Sequence, residues 1–234
     1  ENIKSKASSN AHRMIAEFLL SKPEIFKNII IDIPKTSYKG HDYYYDPKTK
    51  TISISAEAID NDNLNVHAII EELLHSITAD ALKGNNSDPK VKAIVQKLNV
   101  LYKTSIANYI DLKRKTNPSY SKADFELDIA NIKHKVISND NDYTLYRLQN
   151  LPEFVAGLFH ITTQNKQFKE TLSKKVTAKQ YGTFLKITEG LYDKIKQLIS
   201  DLLDALGFTS TIDRFQLAIN YSYALMEVIG DNTV

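Results

Sequence analysis

Between residues 66 and 81 the apolar side chains fall at Val66, Ile69, Ile70, Leu73, Leu74, Ile77 and Ala81, spaced three and four apart. That spacing predicts a helix over residues 66–83 with one face committed to a core. Gly84 and the polar run Asn85-Asn86-Ser87-Asp88-Pro89 end it. The same stretch carries Glu71, Glu72 and His75. Acids and imidazoles surrounded by apolar residues need partners, because their lost hydration must be replaced. Side chains at i and i+4 of a helix stand about 6 Å apart on one face. Glu71 and His75 therefore can reach one metal ion.

The elements around this helix follow from the same kind of reading. Residues 9–21 form a helix capped by Ser9, with Met14, Ile15, Phe18 and Leu19 as its apolar stripe. Ile29 to Ile33 reads as a buried strand closed by Pro34. Tyr43-Tyr44-Tyr45, the turn Asp46-Pro47-Lys48-Thr49 and Thr51 to Ser55 read as a hairpin, its second arm short enough for a sheet edge. Asn61 to Asn65 is a turn. Residues 90–115 form a long helix with Val91, Ile94, Val95, Leu98, Leu101 and Tyr102 inward. Asn117-Pro118 breaks the chain, 122–136 is helical, Ser138 to Asp142 is a loop, and 151–159 is helical. Long amphipathic helices follow at 178–206 and 211–229, separated by Gly207. The expected fold is α+β and predominantly helical: a small sheet packed on the 66–83 helix, then a helical subdomain. The expected domains are a core at 1–160 and a C-terminal helical subdomain at 161–234.

Composition narrows the chemistry. There is no cysteine, which excludes disulfides, thiolate metal sites and a cysteine nucleophile. A metal site must use His, Asp and Glu. The net charge of +2 is too balanced to imply nucleic acid or a membrane surface as partner, and no apolar run is long enough to span a bilayer. The opening Glu1-Asn2-Ile3-Lys4 is not a signal peptide, so a cytoplasmic location is expected. No glycine-rich phosphate loop or nucleophile elbow is present. His12, His41, His134 and His160 are isolated, and the Lys-rich stretch 164–179 reads as a solvated face.

In the zinc-peptidase motif H-E-x-x-H, two His bind the ion and the Glu acts on the metal's water. Residues 71–75, Glu-Glu-Leu-Leu-His, match its second and last positions. The bland alternative is a helix with a solvent-facing acidic pair and a satisfied His75. His67 lies about 12 Å along the helix axis from His75, too far to share an ion with it, and is placed to pack or to hydrogen-bond Glu71. Glu72-Leu73-Leu74-His75 also reads as the E-x-x-H of di-iron bundles, but no second copy exists in the chain.

A second segment, Asn150-Leu151-Pro152-Glu153-Phe154-Val155-Ala156-Gly157-Leu158-Phe159, adds to the first. With it, residues 29–160 resemble the gluzincin metallopeptidases, above all lethal-factor-like and phage-encoded zincin domains. The resemblance implies a peptidase acting on protein or peptide. Zn2+ would be held by His75 and Glu153 with Glu71 as the remaining ligand, Glu72 would be the general base, and Tyr146, seven residues before Glu153, would donate to the oxyanion. A phage-encoded protein of this kind would be virion-associated. Two positions depart from the pattern: Glu71 stands where the first His belongs, and Gly157 replaces a second acid on the Glu153 helix, which puts the positioning of a ligand in doubt. A carboxylate can bind zinc, but two anionic ligands lower its Lewis acidity and leave a bound water less acidic. The oxygen-rich set also suits Mn or Mg better than the usual one. The expectation is weak metal binding with slow or absent catalysis. The alternative is a zincin-like module without activity, part of a larger phage or mobile-element protein, with the C-terminal helices as its partner surface.

Overall fold

The computed structural model describes residues 29–37, 41–60, 66–132, 137, 139–159, 166–173 and 191–207. The expected helices at 9–21 and 211–229, the turn at 61–65, the ends of the helices at 133–136 and 178–190, and His12, His134 and His160 lie outside these residues, as does the side chain of His67. The described part is predominantly helical with a small three-stranded sheet, an α+β composition. Contacts divide the chain into two compact units, residues 1–79 with 206–234, and residues 80–205. The boundary expected at 160/161 falls inside the second unit.

In the first unit the strands are β1 (Ile30–Asp32), β2 (Tyr43–Asp46) and β3 (Thr51–Ile54), in the order β1-β3-β2. β2 and β3 pair antiparallel as the expected hairpin, with Tyr45 opposite Ile52. The Asp46 carboxylate accepts from the backbone N–H of Lys48 at 2.8 Å, which holds the turn and lowers its pKa. Two expectations change. β3 is the central strand rather than an edge, because β1 pairs with it in parallel on its other side. Its Ile52 and Ile54 are both 2% exposed, at the two-residue period of a strand with one buried face. β1 is itself an edge strand, and Ile30 and Ile31 are 59% and 44% exposed. A run of β-branched residues forms a strand because it suits the extended backbone, and that preference does not require burial.

Helix α1 (Ala56–Asp60) begins at Ser55, whose hydroxyl accepts from the N–H of Ala58 at 3.1 Å and donates to Asp42 at 2.7 Å. Helix α2 (Val66–Leu82) is the apolar helix read from the sequence. Ile69, Ile70, Leu73 and Leu74 are fully buried. It stops at Gly84, whose φ of +82° suits only a residue without Cβ. The N–H of Asn85 then reaches back to the Asp80 carbonyl at 2.9 Å.

The second unit holds α3 (Pro89–Arg114), α4 (Lys122–Ile132), α5 (Asp140–Leu148), α6 (Leu151–Phe159), α7 (Lys166–Ser173) and α8 (Leu191–Ala205). α3 is capped by Asp88, which accepts from Lys90, with Pro89 opening the helix. It packs against α5, α6, α7 and α8. Phe154 of α6 is fully buried at the centre, 5.4 Å from the Tyr102 ring and 5.9 Å from the Phe168 ring. Two further expectations change here. The polar run ending at Asp142 is no loop: Asn139 accepts from the N–H of Asp142 and starts α5. Part of the Lys-rich stretch is α7, whose Phe168, Thr171 and Leu172 are buried.

Candidate metal centre

Glu71 and His75 stand one turn apart on α2. Oε1 of Glu71 is 3.7 Å from Nε2 of His75, and the two side chains are 13% and 11% exposed. The buried Ile70, Leu73 and Leu74 beside them exclude water, which strengthens any electrostatic interaction made there. At 3.7 Å the contact is too long for a hydrogen bond and is an ion pair only where His75 is protonated. Glu72 follows on the same helix and is half-buried.

Glu153 is placed by the start of α6. The Asn150 side chain accepts from the N–H of Glu153 at 2.9 Å and the Asn150 carbonyl accepts from Phe154 at 3.0 Å. Asn150 is thus the cap, and Glu153 lies in the first turn, where the helix dipole favours a carboxylate. A guanidinium nitrogen of Arg147 is 3.3 Å from Oε2 of Glu153, with the Arg147 side chain 8% exposed. The Arg147 guanidinium lies 4.9 Å from the Tyr143 ring and 5.1 Å from the Tyr146 ring. Tyr146 is half-buried on α5.

Glu71, His75 and Glu153 form a group that could hold a metal ion, each offering one ligand atom, the first two from the first unit and the third from the second. Donors about 2.1 Å from a tetrahedral ion stand about 3.4 Å apart. The Glu71–His75 distance of 3.7 Å is near that value. Two carboxylate oxygens and one imidazole nitrogen are an acceptable set for zinc, and they suit manganese better than a set with two imidazoles does.

Comparison with family models, with curated proteins and with solved structures finds no match. The case for a metal centre therefore rests on these side chains alone.

Arg147 is the residue that the sequence reading passed over. Its trace was Gly157, an isolated glycine inside an apolar helix, which signals a close approach. A Cβ at Gly157 would stand 2.8 Å from Cδ and 2.9 Å from Cγ of Arg147. The position expected to leave a ligand unsupported is instead filled by the Arg147 stem, and its head group meets Glu153.

Proposed function

We propose that the chain is a zinc-dependent metalloendopeptidase of gluzincin type with an altered Glu71-Glu72-x-x-His75 motif and slow turnover. The observation that carries this reading is the Glu71, His75 and Glu153 group, which could hold a metal ion. A divalent ion held there would supply Lewis acidity and acidify a water. Glu72 would take the proton of the water that attacks the substrate carbonyl and hand it to the amine as the C–N bond breaks. Tyr146 would donate a hydrogen bond to the oxyanion. The second ligand carboxylate explains slow turnover, because it offsets the ion's charge.

One observation favours a second reading, a zincin-like module without catalysis. Glu71 stands against His75 and Glu153 against Arg147, so each acid has a basic partner from the chain itself. Incubation with a fluorogenic peptide library separates the two readings. Cleavage that needs zinc or manganese, is stopped by a chelator, and falls about a hundredfold or more in Glu72→Gln supports the peptidase. No cleavage with any divalent ion, together with a metal-free native protein, leaves only the module.

A further inference from the structure

We propose that the outer edge of β1 pairs with the same edge of a second copy of this chain, antiparallel about Ile31, so that two three-stranded sheets join into one. The pairing involves the first unit alone and is independent of the metal centre.

The backbone of β1 leaves one residue facing outward. In the parallel register Ile30 stands beside Thr51, Ile31 beside Ile52 and Asp32 beside Ser53. The N–H of Ile30 donates to the carbonyl of Lys50 at 2.9 Å. Backbone groups alternate in direction along a strand, so those of Ile30 and Asp32 face β3 and those of Ile31 face away from it. Among the described residues no strand lies beyond β1. The side chains are open as well. Ile30 and Ile31 point to opposite faces of the sheet and are 59% and 44% exposed. Ile31 shares its face with Ile52, which is 2% exposed, so it forms the rim of the buried layer. Edge strands are ordinarily guarded by lysine, proline or a bulge. β1 is Ile-Ile-Asp in unbroken register and has none of these.

Register and charge favour a second copy as the occupant. With the two-fold axis at Ile31, the N–H and carbonyl of that residue in each copy serve the other, which makes a hydrogen-bonded antiparallel pair. The two Ile31 side chains then lie side by side and continue the buried layer across the junction. Each Asp32 stands opposite Ile30 rather than opposite its counterpart. An axis at Asp32 would instead set two carboxylates against each other, which is unfavourable. Over residues 29–33 every position but Asp32 is isoleucine, a β-branched run suited to pairing. β1 is three residues long, and so short a strand buries less than the roughly 1,200 Å² of a stable complex. The dimer is therefore weak, with a Kd on the order of 100 μM.

Sedimentation equilibrium of the full chain tests this, with melting curves to establish folding of each variant. The native chain is expected to rise from monomer towards dimer mass as its concentration approaches about 1 mM. Ile31→Pro removes the outward N–H at an edge position that tolerates proline, and should weaken association about tenfold or more. Where Ile31→Pro does not fold, Ile31→Lys, an exposed change that guards the edge with charge, takes its place with the same expectation. A native chain that stays monomeric throughout, or a folded variant that associates as the native chain does, overturns the proposal. The chain has no cysteine, so single cysteines report contacts directly. Facing residues of a hydrogen-bonded pair stand about 5.5 Å apart, within reach of a disulfide. Under mild oxidation Ile31→Cys should form disulfide dimers faster than Leu127→Cys, a 61% exposed position of the second unit. Equal rates overturn the proposal. So does a mixed disulfide of Ile31→Cys with an equimolar cysteine-bearing extended peptide that forms in preference to the dimer, because it assigns the edge to peptide.

Discussion

At Gly157 and Arg147, one helix gives up a side chain so that another can lie across it. A Cβ at Gly157 would lie 2.8 and 2.9 Å from the middle of the arginine stem, whose guanidinium is held against two rings. Gly157→Ala should therefore destabilise the protein by about 1–2 kcal/mol in a urea titration, since overpacking of a filled core outweighs the better helix propensity of alanine. An unchanged or raised midpoint would mean that Arg147 moves aside freely. Glu71 is the other residue at which a single change is informative. Glu71→His exchanges an anionic ligand for an imidazole and should tighten zinc by about tenfold or more, roughly 1.4 kcal/mol, in competition with a chromophoric chelator. No gain in zinc affinity would show that position 71 does not face the ion.

Among the elements, α5 is the one whose existence turns on its first residues. Asn139, Asp140, Asn141 and Asp142 have the composition of a turn, and such residues also cap helices, because a short polar side chain can satisfy an exposed N–H in either setting. Asn139 accepts from the N–H of Asp142 at 2.9 Å, and the acids of the first turn favour the helix dipole. Asn139→Ala should cost about 1 kcal/mol in chemical denaturation; a change within a few tenths would mean that packing alone holds the helix. α5 matters beyond its own stability, since it carries Tyr143, Tyr146 and Arg147. The α2 helix was legible because its spacing, its length and its stop at Gly84 agree. α5 was not, because its short polar opening fits a turn and a helix cap equally well. β1 shows the converse: composition named the strand, yet its exposure depends on which neighbours cover it.

For the molecule as a whole, the described residues hold a buried phenol network that predicts its behaviour in alkali. Tyr109 lies against Tyr120 and Phe125, and its hydroxyl donates to Asn141 at 3.0 Å. The Tyr120 hydroxyl donates to Asp128 at 2.7 Å. Burial first, and then the negative charge of Asp128, raise Tyr109 above the usual phenol range. Burial and the hydrogen bond to Asp128 raise Tyr120 in the same direction. The unfolded chain releases these protons near pH 10 and the folded chain keeps them. The stabilisation is thus fully present below about pH 10 and is lost as pH rises above it. Melting temperatures should fall more steeply above about pH 10 in the native protein than in Tyr120→Phe, which removes one of the two phenols. Parallel curves would discard the account. Among the described residues no helix is long and apolar enough to cross a membrane.

Local pattern was enough to determine the helical majority, the β2–β3 hairpin, the apolar face of α2 and the pairing of Glu71 with His75 along it. Each depends on residues a few positions apart, where spacing and capping chemistry act directly. Spacing also put Glu153 in a second helix, but nothing local could say that it joins Glu71 and His75 in a group that could hold a metal ion. Tertiary structure alone decided that, along with the central place of β3, the exposure of β1, and the passage of Arg147 across Gly157 onto Glu153. These contacts join residues whose proximity depends on how whole elements pack, and packing energy is a property of the assembled core rather than of any stretch of chain.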